Sequence, residues 1–247
     1  MSHAPEHQAT PETAHRRIPF FDALRGLTIC SMVAFHASYD LAYLYGISMP
    51  WFTVGPFQEI WRSSISWTFL ALAGWMTIYS RDNFKRAGVY GLSALTVYIA
   101  TTVAAVDTPV NFGILFCMAA STLIFALAEP VLKRVPPLPA FIVLLALFAL
   151  TWQVPHRAYE VWGLSWLGFP SPTFASGDYY PLVPFTFMYL AGSYAANLFK
   201  RHFGTGAPAW MYACRVSPLE AIGRHSLLIY LAHQPLVLLA LNIVFGS

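Results

Sequence analysis

Charge is what this sequence most lacks. Only 10% of its 247 residues are Asp, Glu, Lys or Arg, against roughly 25% in soluble globular domains. Apolar residues make up 57%. That balance excludes a soluble core with a solvated surface, and basic and aromatic residues do not interleave as nucleic-acid binding would require. Cysteine is scarce too. Cys30, Cys117 and Cys214 are scattered, which excludes both a disulfide framework and a metal-ligand spacing. There is no glycine-rich phosphate loop and no obvious internal repeat. No cleavable signal peptide is visible, and residues 1–17, polar and holding Pro, His and Glu, read as a disordered cytoplasmic tail.

What is present is a series of long apolar runs, each near the ~20 residues that cross a bilayer. They fall at about 18–45, 61–80, 87–106, 112–132, 137–154, 181–199 and 219–245. The expected fold is therefore all-α, a polytopic membrane bundle of about seven helices forming one domain over 18–247. Basic residues orient it. With seven spans, Arg16, Arg17, Arg81, Lys85, Arg86, Lys133, Arg134, Lys200, Arg201 and Arg215 share one side, whereas the opposite loops hold only Arg62 and Arg157. The N-terminus is expected inside and the C-terminus outside. The loop 155–180, with Trp162 and Trp166, suits the outer interface.

The first span carries Asp22, Arg25, His36 and Asp40. Each ionisable group near a bilayer centre costs roughly 2.5–3.5 kcal/mol on insertion scales. At 100° per residue, with Asp22 at 0°, Arg25 falls at about −60°, His36 at about −40° and Asp40 near 0°. All four share one face, which should line a protein interior or a wet cavity. Asp22 and Arg25 are spaced to pair at i,i+3. They serve either as an ion pair at the headgroup boundary or as a contact for an anionic ligand. His36 lies about 16 Å farther along, and Asp40, one turn on, can accept from one ring nitrogen and leave the other as a base. The same two groups can instead simply tie helices together.

The last span repeats the pattern. Ser226, Tyr230 and His233 form a second polar stripe, with His233 at roughly the depth of His36. Arg62 opens the second span on the outer side, where it either anchors in headgroups, counters Asp40 or Asp178, or faces charge developing in a reaction. A base, a carboxylate and a cation at one depth suit group transfer more than conduction. A carrier or flippase, and a non-catalytic membrane scaffold, are the competing expectations.

Five segments carry a resemblance: FDALRGLTICSMVAFHASYDL (21–41), FLALAG (69–74), NFGILF (111–116), DYYPLVPF (178–185) and IGRHSLLIYLAHQP (222–235). In this order they resemble bacterial relatives of heparan-α-glucosaminide N-acetyltransferase, within the transmembrane acyltransferases, over about 18–245. The resemblance implies transfer of an acyl group, typically acetyl, from cytoplasmic acetyl-CoA to an amine or hydroxyl across the membrane, with no metal. It sets His36 at the active centre, Asp22 and Arg25 in the donor-side motif, and Asp178 and His233 at family-typical polar positions. Two departures stand out. Phe116 follows GIL where close relatives often carry His, and 46–60 lacks the His that the lysosomal branch keeps after its first helix.

Combined with the residue reading, this gives a set of expectations. His36, Asp40, His233 and Arg62 are catalytic, and Asp22 and Arg25 bind the donor. Asp178, Tyr230 and Ser226 bind the acceptor, an extracytoplasmic glycan or glycolipid. The setting is a bacterial inner membrane, with a second copy of the chain as a candidate partner and no nucleic acid.

Overall fold

The structure is a computed structural model that describes residues 17–204 and 206–246. The expected tail lies outside the described residues, apart from Arg17. Among them there are helices and no strands. In chain order they are α1 (Pro19–Tyr39), prolonged by a π-helical turn Asp40–Leu44; α2 (Pro50–Thr53); α3 (Phe57–Trp75), prolonged by a 3-10 turn Met76–Tyr79; α4 (Asn83–Ala104); α5 (Ile114–Leu132); α6 (Pro137–Thr151); α7 (Leu182–Phe203); α8 (Ala209–Ala213); α9 (Ser217–Arg224); and α10 (Ser226–Phe245).

Local chemistry sets several helix ends. Proline stands in the first turn of α1, α2 and α6, where its missing N–H is no loss and its φ is already helical. Asp82 caps α4, its side chain accepting from the Lys85 backbone N–H at 2.9 Å. One boundary departs from expectation. The apolar run 219–245 is not one helix, because His225 (φ −104°, ψ 19°) separates α9 from α10. The His225 N–H turns back to the Ile222 carbonyl, and the His225 carbonyl starts the next helix by accepting from Ile229.

Five segments are long and apolar enough to cross a membrane: Asn83–Ala104, Ile114–Leu132, Pro137–His156, Leu182–Phe203 and Ser226–Phe245. The chain is an integral membrane protein. Helices α1 and α3 have comparable lengths, 21 and 19 residues, but each carries a polar stripe. They spend it inward: Asp22, Thr28, Ser63 and Ser66 are buried. Outward-facing side chains of α4, α6 and α10 are instead bare aliphatics such as Leu92, Val103, Leu150, Leu236 and Ile243. Polarity is sorted to the interior, as a lipid solvent demands.

Helix α7 is the hub, packing against α3, α5 and α6, while α1 lies along α9. Two of these contacts bring backbones together through glycine. A β-carbon on Gly74 of α3 would lie 1.7 Å from the Tyr189 carbonyl oxygen of α7, and one on Gly192 of α7 would lie 2.1 Å from that of Ala71. The α1–α9 contact repeats the device. Gly26 would meet Leu219 O at 1.9 Å, and Gly223 would meet Asp22 O at 1.9 Å. Small residues at a crossing let membrane helices approach closely enough for backbone packing.

Gly74→Ala and Gly192→Ala are each expected to cost about 1–3 kcal/mol through forced displacement of backbone. Gly88 of α4 is the control, because a β-carbon added there would meet no atom of another residue within 4 Å. Gly88→Ala should gain up to about 1 kcal/mol of helix propensity. Thermal unfolding in detergent checks this; equal melting temperatures for the Gly74 and Gly88 variants would remove the close crossing.

Candidate functional site

A cavity of about 250 Å³ enters the bundle at the end where α1 and α4 begin and α3 ends. Arg17, Arg25, Arg86 and Arg224 line it. Asp22 pairs with two of them, meeting Arg17 Nε at 2.9 Å and Arg25 Nη1 at 3.1 Å. The expected i,i+3 pair is made, with Arg17 as an added partner. Glu220 lies 3.9 Å from Arg224. Arg86 is held differently: Nη2 donates to the Ala73 carbonyl at 2.6 Å and Nε to the Tyr90 hydroxyl at 3.3 Å. Inward from the arginines the wall turns apolar, with Phe69, Leu72, Leu115 and Met118, and it reaches Ile114 and Tyr230. The α9–α10 break contributes Gly223, Arg224, Ser226 and Leu227. Irregular backbone at membrane depth belongs where it lines such a space. The dipole at the start of α10 adds partial positive charge there.

A second, smaller cavity of about 80 Å³ lies toward the other end, lined by Glu59, Arg62, Ser63, Ser66, His156 and aromatic side chains including Tyr179 and Tyr180. The two cavities share one wall. Glu59, Arg62, Ser63 and Ser66 line the small one, and Phe69, Leu72, Ala73 and Met76 the large one. That i, i+3, i+4, i+7 spacing is a single face of α3 and its 3-10 extension. From Glu59 to Met76 the helical rise is about 25 Å, close to a hydrocarbon thickness of ~30 Å. Tyr180 borders the small cavity and Tyr230 the large one, and Tyr230 packs against the apolar core cluster that contains Tyr180.

Asp178 is fixed by the start of α5. Its Oδ2 accepts from the Ile114 N–H at 3.1 Å, supplying the cap that Gly113 cannot. Gly113 permits this approach, since a β-carbon there would lie 2.9 Å from that same oxygen. Phe112, at φ 57°, turns its carbonyl to accept from the Tyr180 N–H at 2.9 Å. The sequence segments 111–116 and 178–185 are thus partners in space. Burial pushes the Asp178 carboxyl above its ordinary range, opposed by the Ile114 N–H and by Arg62. Arg62 itself makes its ion pair with Glu59, at 2.7 Å, and acts on Asp178 at longer range.

His36 and His233 meet, with ring centroids 4.9 Å apart. The expected His36–Asp40 hydrogen bond is not made. Asp40, buried at the start of the π-helical turn, accepts instead from Gln234 Nε2 at 3.1 and 2.9 Å. His233 Nδ1 lies 2.6 Å from the Tyr230 carbonyl. A carbonyl only accepts, so Nδ1 is the donor and Nε2 carries the lone pair. That Nε2 is buried without a hydrogen-bond partner. His233 also packs on the Tyr230 ring, at 5.6 Å between centroids.

The site residues read from sequence therefore divide into three groups. Arg25, Ser226 and Tyr230 line the large cavity, with Asp22 behind Arg25. Arg62 lines the small one. His36, Asp40, His233 and Asp178 line neither; His233 packs on the Tyr230 ring, and Asp178 caps the start of α5. Sequence reasoning missed Arg86, Glu59, Tyr180 and Gln234 as members of these clusters. The polar face of α3 was a usable signal for Glu59, whereas nothing local marks Gln234.

Taken together, the fold is an apolar helical membrane bundle with an arginine-lined cavity that runs inward to Tyr230, whose ring packs on the buried His233. The family model described as heparan-alpha-glucosaminide N-acetyltransferase, catalytic, matches residues 17–235, and the chain belongs to that family of acetyltransferase-type membrane enzymes. No curated protein and no solved structure matches it. The arrangement holds no group of three or more His, Cys, Asp or Glu side chains suited to a metal among the described residues.

Loss of the interelement cap gives a direct check on Asp178. Asp178→Ala should destabilise by about 1–2 kcal/mol, as removal of a helix cap does, while Asp178→Asn keeps an acceptor and loses less. Thermal unfolding of both variants measures it; an unshifted Asp178→Ala would mean that the carboxylate is not what holds the start of α5.

Proposed function

We propose that this protein transfers an acyl group, acetyl in the first instance, from cytoplasmic acyl-CoA to a hydroxyl or amine of an extracytoplasmic glycan or glycolipid. The observation that carries the reading is the large cavity, basic at one end and ending at Tyr230, whose ring packs on the buried His233, itself in contact with His36. In this reading the arginine-rich end faces the cytoplasm of a bacterial inner membrane, the N-terminus is inside and the C-terminus outside. All seven long helices then cross the bilayer, α1 and α3 sheltered by the rest. The small cavity beside Arg62 lies on the acceptor side.

Acyl-CoA is a substrate that brings an activated thioester. Arg25 and its neighbours attract its phosphates, and the apolar walls at Phe69, Leu115 and Met118 accept the pantetheine arm. His233 offers Nε2 as a base with no competing partner, and it removes the proton of the acceptor's O–H or N–H. The acceptor atom bonds to the thioester carbon, and the tetrahedral oxyanion collapses with cleavage of the C–S bond. His233 returns the proton to the departing thiolate, so the step balances. His36 contributes by packing, tilted, beside that imidazole, and Asp40 steadies the middle of α10 through Gln234. Arg62 and Tyr180, on the small cavity, are the groups assigned to meet the developing negative charge.

A carrier would need one space that reopens on either side. The two separate cavities with Tyr180 and Tyr230 between them favour transfer of a group over passage of a whole solute. The test is acyl transfer or thioester hydrolysis by purified His233→Ala and His36→Ala. A general base contributes about 10²–10⁴-fold, so kcat should fall by that order for His233→Ala and less for His36→Ala, with CoA binding retained. Undiminished turnover in both variants would eliminate the imidazole pair as the catalytic centre.

A further inference from the structure

Among the four arginines on the large cavity, the local charges are unevenly matched. Arg17 and Arg25 share the Asp22 carboxylate at 2.9 and 3.1 Å, and Arg224 has Glu220 at 3.9 Å. Arg86 has no carboxylate within ion-pair distance among the described residues. Its two hydrogen bonds are to neutral acceptors, the Ala73 carbonyl and the Tyr90 hydroxyl, and the Tyr90 ring lies 5.4 Å from the guanidinium carbon. These contacts fix the plane of the guanidinium without cancelling its charge. The third nitrogen, Nη1, is buried and has no partner.

A guanidinium held in place, only partly exposed and unpaired is costly unless an anion completes it. Arg presents its donors as a planar fork, and a fork with one arm pinned leaves the other to meet a phosphate oxygen. The cavity wall supplies the space, and the start of α10 in the same wall adds positive potential. We propose that Arg86 is the phosphate-binding residue of this cavity, taking a phosphate group of the donor, while Arg17 and Arg25 serve chiefly to hold Asp22 and the start of α1. This rests on the reading of the donor as acyl-CoA, and it transfers the central anion contact from Arg25 to Arg86.

The experiment is calorimetric titration of the full-length protein in detergent with CoA, inorganic pyrophosphate and pantetheine, for wild type, Arg86→Gln and Arg86→Lys. Loss of a charge-assisted hydrogen bond weakens binding by roughly 10- to 100-fold. Arg86→Gln should lose that much toward CoA and pyrophosphate and nothing toward pantetheine. Arg86→Lys, which keeps the charge, should lose only a few-fold. If Arg86→Gln binds CoA as wild type does, the assignment is overturned while acyl transfer stands. If Arg86→Gln loses CoA and pantetheine equally, Arg86 only supports the fold and the assignment again fails. Wild type that binds pyrophosphate through Arg86 but ignores CoA would keep the phosphate subsite and overturn the acyl-CoA reading instead.

Discussion

Everything about the candidate site depends on how closely α3 can lie against α7. Gly74 and Gly192 remove the side chains that would separate the two backbones, and α3 is thereby held in the middle of the bundle rather than at its rim. From that position one face of α3 serves α7 while another, from Glu59 to Met76, walls both cavities. The Gly26–Gly223 contact performs the same service for α1 and α9. It holds Arg25 beside α9, and both Arg25 and the α9–α10 break line the large cavity. Without a hydrophobic driving force between helices in lipid, such close packing is the principal means of holding polar helices together.

The polar groups inside then sort by what satisfies them. Near the basic end, carboxylates meet most of the arginines. In the middle, Asp178 is spent on the start of α5, and hydroxyls bridge helices, as with Thr122 and Tyr189 at 2.6 Å and Ser121 and Thr186 at 2.9 Å. Among the buried atoms without a partner, which include Trp75 Nε1, Asn83 Oδ1, Glu220 Oε1 and Gln234 Oε1, two bear on the proposed reaction: Arg86 Nη1 and His233 Nε2. One is a donor beside the basic end of the large cavity, and the other is an acceptor just behind its inner end. Native structures leave few such atoms, and each asks for an explanation. An anionic group and an acidic proton, supplied by two substrates, would answer both.

Much of this was legible in the sequence because membrane physics writes itself in composition. The long apolar runs located the helices to within a few residues, and the angular arithmetic for Asp22 and Arg25 gave a pair that is in fact made. The meeting of His36 with His233 followed from two stripes at one depth. Other features were not legible. The break falls at His225 itself, which is neither Gly nor Pro, and the nearby Gly223, packed against Asp22 of α1, did not by itself announce it. The Asp40–Gln234 pair arises from helix rotation across 194 positions of sequence separation, which periodicity within one helix cannot supply. Counting basic residues gave Arg86 a side of the membrane but not a role. Its importance lies in the carboxylates that reach its neighbours and not it. Family-like segments such as NFGILF and DYYPLVPF were visible as strings, whereas their function as two halves of one helix cap emerges only when the chain is folded.

The central claim is that an acyl donor enters from the basic end and brings its reactive carbon to Tyr230, beside His233. The most direct measurement is a cryo-electron microscopy map of the full-length protein with a non-hydrolysable acyl-CoA analogue. The account predicts phosphate density against Arg86 and the thioester-mimicking group at the Tyr230 end of the large cavity. Density for the analogue at the Arg62 cavity alone, or a large cavity unchanged at saturating analogue, would contradict it.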